Sequence, residues 1–528
     1  MNRNHYMKLA ATAVGLCVTA SLLAGCGGSD SSESGGGGGG GDESKYVDGA
    51  TFSMALSSDP GNLDPQMAAG SALFTVSQLA YDSLVSVNAE SGAIESQLAT
   101  DWTVDGTKVS FTLTDGVTCA DGSALTPTVV ADNIAFVADP KNQSPFLGTF
   151  LPVGAKAVAD DAAGTVTLKL AAPAPFVLNG LASLPIVCQA GLDDRKSLAQ
   201  GTAGTGPFAL TEAAPGEQYT YQVRDDYTWG PNGATTAEEG TPATIVMKIV
   251  QNETTSANLL LSGDLNAASI IGPDAERLDK AGLFSAQTPA LLGEQWYNHA
   301  DGRATSDPDI RMALTQALDL GELQNVLTSG KGTPATTLTT LEPTACPGDS
   351  VSGSVPATDT EAAKAVLDAA GPLDLKFLYS TGGGSGIAAA AELAVQQWEA
   401  LGIKVTAKGQ DDTALQGTIF GAGDWDIAWV PLNVNSPDQV VPFLSGPAAP
   451  DGTNFSAIEN ADYDAGVKKA SAMNGTDGCA TWLEAESALF AAADIVPFAN
   501  NVVQTFGAGA EFETPGQLVP TSIRMLAE

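Results

Sequence analysis

Few residues in this 528-residue chain could act as nucleophiles, bases or metal ligands. The sequence has two histidines and contains neither a G-x-S-x-G nor an H-E-x-x-H pattern. Because His5 lies in the leader segment described next, a hydrolase of the serine or cysteine type would have to use His299 as its base. A turn, Ala300-Asp301-Gly302, follows His299, and we expect this histidine to be exposed. A secreted hydrolase is therefore disfavoured, although paired carboxylates leave it open.

One cysteine has a sequence context that predicts lipidation. Arg3 and Lys8 precede an uncharged apolar stretch, Leu9 to Ala24, which is short for a membrane span of about 20 residues. It fits the apolar core of a signal peptide, 1–25. The stretch ends in Leu23-Ala24-Gly25-Cys26, which resembles the lipobox of bacterial lipoproteins. We therefore expect cleavage before Cys26 and a lipid anchor on its thiol, at the extracytoplasmic face of the cell membrane.

A flexible linker and a strong negative charge characterise the rest of the chain. Residues 26–48 are rich in Gly and Ser and include seven consecutive glycines, Gly35 to Gly41, so we expect an extended spacer. The chain has 23 basic and 61 acidic residues, a formal net charge of −38. This charge disfavours nucleic acid as a partner and any electrostatic contact with a membrane.

Hydrophobic periodicity predicts an α/β protein. Strands are predicted at Thr51 to Leu56 and at Thr244 to Val250. In the second half, strands alternate with helices. The alternation begins with a short strand over Gln295 to Asn298, followed by a helix over Asp309 to Leu327. This order indicates a sheet with crossover helices.

Several motifs, in a characteristic order, resemble one known family. They are Pro60-Gly61-Asn62-Leu63-Asp64-Pro65, Tyr81-Asp82-Ser83-Leu84-Val85, Gln97-Leu98-Ala99-Thr100-Asp101-Trp102, Phe111 to Val117, Asp121-Gly122-Ser123, Gly204-Thr205-Gly206-Pro207-Phe208, Asp226-Tyr227-Thr228-Trp229-Gly230, Asp307 to Asp319 and Gly423-Asp424-Trp425-Asp426. Together they resemble the family 5 extracytoplasmic solute-binding proteins of ABC importers, which include oligopeptide, dipeptide and nickel binders. The resemblance covers residues 50–500.

The resemblance implies a periplasmic-binding-protein-like fold of class II. Two lobes would close around a ligand cleft, with an extra α/β domain beside them. The implied boundaries are 49–90, 203–293 and 499–528 for lobe I, 91–202 for domain II, and 294–498 for lobe III.

The remaining cysteines predict disulfides in an exported protein. Without Cys17 and Cys26, four remain, and three pairings are possible. Within the implied domains, the pairings Cys119–Cys188 and Cys346–Cys479 each stay inside one domain, and we favour them. No C-x-x-C occurs, and with one histidine in the mature chain we expect no metal site and no cofactor.

A loop in lobe III is the part of the resemblance most informative about the ligand. It runs from Trp429 through Leu432 and Asn433 to Asn435 and Asp438. Peptide binders of the family commonly place an acidic residue three positions after this Trp, where it neutralises the peptide's amino group. Here that position is Leu432, which disfavours a peptide with a free amine unless Asp438 replaces the missing acid. Trp429 is expected to form an aromatic platform, and Asn433 and Asn435 to bind polar groups.

Four more residues are expected near the ligand. Trp425 is a second candidate platform, Tyr297 and Asn298 lie close to the implied hinge, and Ser58 follows the first strand.

The resemblance implies a substrate-binding lipoprotein and no enzymatic activity. We expect a monomer that captures a peptide or peptide-like solute and presents it to the transmembrane subunits of an ABC permease. The alternatives are a non-peptide solute such as a sugar oligomer or an opine-like compound, and a receptor or adhesion role on the same fold.

Overall fold

The computed structural model has strands and helices in the alternation expected from the sequence. It describes residues 45–527 except 68, 69, 89, 384, 474, 515 and 516. The predicted signal peptide, Cys26 and the linker up to residue 44 therefore lie outside the described residues.

The strands cover both halves of the described chain. Their bounds are β1 (Thr51–Leu56), β2 (Val85–Val87), β3 (Ile94–Ser96), β4 (Ala99–Asp105), β5 (Lys108–Leu113), β6 (Lys156–Asp160), β7 (Thr165–Lys169), β8 (Phe208–Ala214), β9 (Gln218–Val223), β10 (Thr244–Ile249), β11 (Ala267–Ile270), β12 (Phe284–Tyr297), β13 (Asp374–Ser380), β14 (Lys404–Gln410), β15 (Ile427–Trp429), β16 (Ile495–Gly507), β17 (Ala510–Glu511) and β18 (Arg524–Met525).

Helices are concentrated in the second half. Their bounds are α1 (Ser71–Ala80), α2 (Pro127–Ala138), α3 (Val177–Ala182), α4 (Gln189–Asp193), α5 (Glu253–Ser262), α6 (Asp274–Lys280), α7 (Pro308–Gln316), α8 (Leu320–Leu327), α9 (Thr360–Ala370), α10 (Ser385–Ala400), α11 (Asp412–Gly417), α12 (Val441–Leu444), α13 (Ala461–Ala470) and α14 (Cys479–Ala491). In the described part of the chain, no helix combines the length and the apolar character needed to cross a bilayer.

A ten-stranded sheet extends across most of the described chain. Its strand order is β14-β13-β15-β12-β16-β11-β1-β10-β9-β8. At its centre, β12 and β16 are 14 and 13 residues long and pair antiparallel, with register shifts between Leu291 and Glu294. The boundaries predicted between lobe I and lobe III lie within these two strands, at residues 293/294 and 498/499. They stay predictions. Strands β12 and β16 thus connect the two ends of the sheet.

The segment between β1 and β10 forms a second, smaller sheet. β1 and β10 pair in parallel, so the chain must leave the large sheet and return between them. In that interval β4, β5, β7 and β6 form an antiparallel sheet with its own apolar core, which includes Val109, Phe111 and Val166. The extra domain expected at 91–202 includes this sheet, and its boundaries stay a prediction.

Four of the sequence motifs meet at Asp82. This carboxylate is 3% exposed and accepts hydrogen bonds from four side chains at 2.8–3.1 Å. The donors are Gln97, Thr205, Tyr227 and Trp229. A buried carboxylate is tolerated when its oxygens are fully hydrogen-bonded. The four motifs are therefore held together by the hydrogen bonds that Asp82 accepts.

The cysteine pairings agree with those favoured from the sequence. Cys119 is bonded to Cys188 and Cys346 to Cys479. Each bridge closes a loop within one of the implied domains.

The single helix predicted over Asp309 to Leu327 is wrong. The structure has two helices there, α7 and α8, with a break at 317–319. The side chain of Asp319 accepts a hydrogen bond from the Glu322 amide at 2.9 Å and so caps a new helix. Aspartate is favoured at the N-terminal cap of a helix, because its side chain accepts a hydrogen bond from an amide that has no partner within the helix.

Candidate functional site

A loop crosses the centre of the large sheet where β12 has its bulge. This crossing loop, residues 430–435, follows β15. The Leu432 amide donates to the Glu294 carboxylate at 2.7 Å, and the Val430 carbonyl accepts from the Trp296 indole at 2.9 Å. Strand β12 therefore fixes the position of the loop.

Asn433 makes a second attachment between the crossing loop and β12. Its side-chain oxygen accepts from the Leu291 amide at 2.7 Å, and its side-chain nitrogen donates to the Leu291 carbonyl at 3.2 Å. The Thr340 hydroxyl donates to the same Asn433 oxygen at 3.0 Å. Asn433 is exposed, and its side chain is hydrogen-bonded to the backbone of Leu291 beside the bulge of β12.

Glu294 is the least expected residue at this crossing. Its side chain is 1% exposed, and the ion pairs among the described residues do not include it. Burial raises the pKa of Glu294 to about 8, although the Leu432 amide and the Trp296 indole act in the opposite direction. Burial therefore favours the neutral, protonated form of this carboxyl group.

Trp429 and Tyr297 lie in the interior of the half of the sheet that carries β13 and β15. Both are fully buried, and Gln295 links them: it accepts from the Trp429 indole at 3.0 Å and donates to the Tyr297 hydroxyl at 2.6 Å. The Trp429 ring packs edge-on against Phe377, with centroids 5.0 Å apart. This is core packing, and a contact of either residue with a solute stays a prediction.

Trp425 and Asn298 are also buried, and they contact each other. The Asn298 side chain donates to the Trp425 carbonyl at 2.9 Å and accepts from the Ala300 amide at 3.0 Å. The Trp425 indole N–H is buried without a hydrogen-bond partner among the described residues. Ser58, at the end of β1, is buried as well.

Asn435 and Asp438 continue the crossing loop. The side-chain oxygen of Asn435 is buried and has no hydrogen-bond donor within the described ranges. Asp438 accepts from the Ser436 hydroxyl at 2.6 Å, and burial raises its pKa to about 6. Both positions thus present acceptor oxygens to poorly solvated surroundings.

A cavity of about 150 Å³ lies beside Asp438. Segments 148–152 and 173–180 of the smaller domain line one side, and Asp438, Val441 and Trp482 belong to the other. The Trp482 indole N–H is buried and unpaired in the part of the chain that the structure describes. The cavity shows that the smaller domain and the second half of the chain approach each other closely here.

The loop after β1 also approaches the second half of the chain. A β-carbon placed on Gly61 would lie 3.7 Å from Thr413 Oγ1, and one on Gly70 would lie 3.6 Å from Gln416 Nε2. Both partners belong to α11. The loop after β1 and helix α11, which follows the edge strand β14, therefore lie close to each other.

The expectation that His299 is exposed is wrong. Its side chain is half-buried, and Nε2 has no hydrogen-bond partner among the described residues. Burial, with a smaller contribution from the Arg311 charge, lowers the pKa of His299 to about 3. The backbone amide of His299 bonds to the Ser456 carbonyl, which turns the residue inward.

Comparison with known proteins accounts for this arrangement. Residues 93–452 match the family model described as bacterial extracellular solute-binding proteins, family 5 Middle. The chain belongs to this family. The family predicted from the motifs, and with it the two-lobed α/β fold, is confirmed.

Individual relatives support the same assignment. The chain is similar to the periplasmic murein peptide-binding protein MppA of Escherichia coli K12, with 26% identity over 83% of this chain and 85% of MppA. It is similar to Protein XP55 of Streptomyces lividans, with 29% identity over 44% of this chain and 42% of XP55. The match therefore spans less than half of XP55.

One solved structure is similar over nearly the whole chain. It is a substrate-binding protein from Microbacterium hydrocarbonoxydans complexed with 4-hydroxybenzoate hydrazide, with 29% identity and a TM-score of 0.80, covering 90% of this chain and 100% of that one.

Sequence reasoning did not identify Glu294 as a site residue. The available signal is an acidic residue within the run Leu291-Leu292-Gly293-Glu294-Gln295-Trp296, which is otherwise apolar except for Gln295. An acid in a strand of this kind is unusual unless it is paired, and charged residues are rarely fully buried.

Proposed function

We propose that this protein is the extracytoplasmic solute-binding component of an ABC importer. It captures a peptide or peptide-like solute between two closing lobes and delivers it to a membrane permease. Membership of residues 93–452 in the family of extracellular solute-binding proteins carries this proposal. The proximity of the β1 loop to α11 supports it, because closure of two lobes on a solute brings segments of this kind together.

A small non-peptide solute is the second candidate. The relative from Microbacterium is complexed with an acyl hydrazide, and this chain has Leu432 where peptide binders of the family commonly have an acid. An acyl hydrazide shares the carbonyl and N–H groups of a peptide unit but is much smaller.

The role is binding and not catalysis. His299 is held neutral by burial, and its Nε2 atom has no serine or cysteine partner among the described residues. A nucleophile activated by this histidine therefore has no support in the described geometry.

Titration calorimetry of the purified full-length chain tests the proposed function. We expect saturable binding of one solute per chain from a panel of peptides of two to nine residues together with 4-hydroxybenzoate hydrazide. Binding only in the peptide arm would identify a peptide receptor, and binding only of the hydrazide would favour the second candidate. Absence of binding throughout the panel would contradict both.

The lipid anchor on Cys26 is part of the same proposal, because a tethered receptor stays near its permease. Fractionation of cells that produce the wild-type chain or Cys26→Ser tests it. We expect the wild-type chain in the membrane fraction and the variant in the soluble extracytoplasmic fraction. The same distribution for both would contradict anchoring at this residue.

A further inference from the structure

Glu294 is a buried acid that has no cation beside it among the described residues. Its side chain is 1% exposed, and the residues two positions before and after it on β12, Leu292 and Trp296, are apolar. The hydrogen bond that it accepts from the Leu432 amide could equally be accepted by a neutral oxygen. Burying a carboxyl group without a cation costs several kcal/mol, so its presence needs a partner that the described residues do not supply.

Two further side-chain oxygens, one on the crossing loop and one on β16, lack hydrogen-bond donors among the described residues. The Asn435 side-chain oxygen lies at the end of the crossing loop, and the Asn500 side-chain oxygen lies on β16, where Asn500 pairs in register with Leu291. Both oxygens are buried without a hydrogen-bond partner among the described residues. Unpaired buried acceptors are unfavourable, so a molecule that lies here should bring hydrogen-bond donors.

The surrounding charge favours the same chemistry. Glu486, on α14, is close enough to act electrostatically on Glu294 and is itself 2% exposed, and the whole chain carries a net charge of −38. A group that introduces positive charge or N–H donors is stabilised by this environment, whereas a carboxylate is repelled.

We propose that Glu294 recognises a nitrogen group of the solute that donates N–H bonds, either a free amino group or a hydrazide. This inference rests on the proposed function, and it specifies which end of the solute lies at the bulge of β12. The acid absent from position 432 is replaced in space by a carboxyl group from another strand, which touches the backbone of Leu432.

Binding of an ammonium group should release one proton from Glu294, and this release can be measured. In the empty site, Glu294 holds its proton because burial raises its pKa to about 8, and the nearby Glu486 adds to this effect. When an alkylammonium group arrives, the carboxyl proton passes to the buffer, and the ammonium retains its three protons against the new carboxylate. Calorimetry in two buffers of different ionisation enthalpy measures the proton released, which a merely structural residue would not change.

The variants Glu294→Gln and Glu294→Asp test the assignment, with Glu484→Gln as the control. Glu484 is an exposed acid on α14, so its replacement makes the same change of side chain away from the site. The probes are a tripeptide mixture with free amino termini, the same mixture after N-acetylation, and 4-hydroxybenzoate hydrazide. Affinities of the full-length chains are measured by calorimetry at pH 7.

We expect the wild-type chain to bind the free-amine mixture or the hydrazide at least tenfold more tightly than the acetylated mixture. Glu294→Gln should abolish this preference and the proton release, Glu294→Asp should retain part of both, and Glu484→Gln should behave as wild type. Preference for only one of the two probes identifies the nitrogen group concerned.

Two results would overturn the assignment, and they separate it from the proposed function. If solutes bind Glu294→Gln as tightly as the wild-type chain, the importer function holds and the role of Glu294 fails. If no probe binds any of the chains, the proposed function fails as well, and the assignment fails with it.

Discussion

Glu486 should make the protein less stable as the pH rises from 5 to 8. This residue lies on α14, is 2% exposed and accepts a hydrogen bond from the Ser350 hydroxyl at 2.5 Å. Burial raises its pKa from 4.5 to about 7. Between these two values the unfolded chain has released the proton while the folded chain keeps it, so the free energy of unfolding falls with increasing pH.

The magnitude follows from the difference between the two pKa values. A difference of about 2.5, at ~1.4 kcal/mol for each pH unit, corresponds to ~3 kcal/mol lost once the pH exceeds 7. Gln keeps an oxygen for Ser350 and has no proton to release. The free energy of unfolding of Glu486→Gln, relative to wild type, should therefore rise by ~2–3 kcal/mol between pH 5 and pH 8.

The assay is urea unfolding followed by tryptophan fluorescence at several pH values. Glu484→Gln is the matched control, because Glu484 is exposed on the same helix. We expect its difference from wild type to stay constant across this range. If the Glu486→Gln and Glu484→Gln profiles both run parallel to that of wild type, the reasoning about the buried acid is refuted.

Three further variants test the framework around the site by urea unfolding at pH 7. Asp82→Ala removes the shared acceptor of three buried donors and of the half-buried Gln97, and should lower the free energy of unfolding by about 3 kcal/mol or more; a loss under ~1 kcal/mol would mean that the network does not hold the motifs together. Replacing Cys346 and Cys479 together by Ser opens a loop with a sequence separation of 133 and should cost ~3–5 kcal/mol, whereas an unchanged midpoint would show that the bridge is dispensable. Asp494→Asn removes the charge opposite the buried Arg311, whose Nη2 lies 2.9 Å from Asp494, and should cost ~3 kcal/mol; wild-type stability would show that this ion pair contributes nothing.

Local patterns predicted much of the fold because they depend on neighbouring residues. The alternation at Thr51–Leu56 and at Thr244–Ile249 predicted two strands correctly. It did not predict that these strands pair in parallel, since that pairing depends on the intervening domain. The long strand β12 was predicted only over Gln295 to Asn298, because its first half, Phe284 to Gly293, contains Pro289 and lacks a regular alternation.

The site was harder to predict than the fold. Trp429 and Tyr297 are aromatic residues near the implied hinge, but which face of β15 or β12 each occupies depends on packing that a short strand does not encode. The resemblance directed attention to position 432, where the acid is missing. The structure shows that Glu294, 138 positions earlier, contacts that position, and only the pairing of β12 with β15 brings them together.

Native mass spectrometry of the purified full-length chain, followed by denaturing release of anything bound, tests directly whether this protein captures a solute. We expect a complex with one solute per chain, and the released mass should be that of a peptide or of a small molecule with an amino or hydrazide nitrogen. A chain that is isolated empty, and remains empty after incubation with peptides and the hydrazide, would contradict a solute-capturing role.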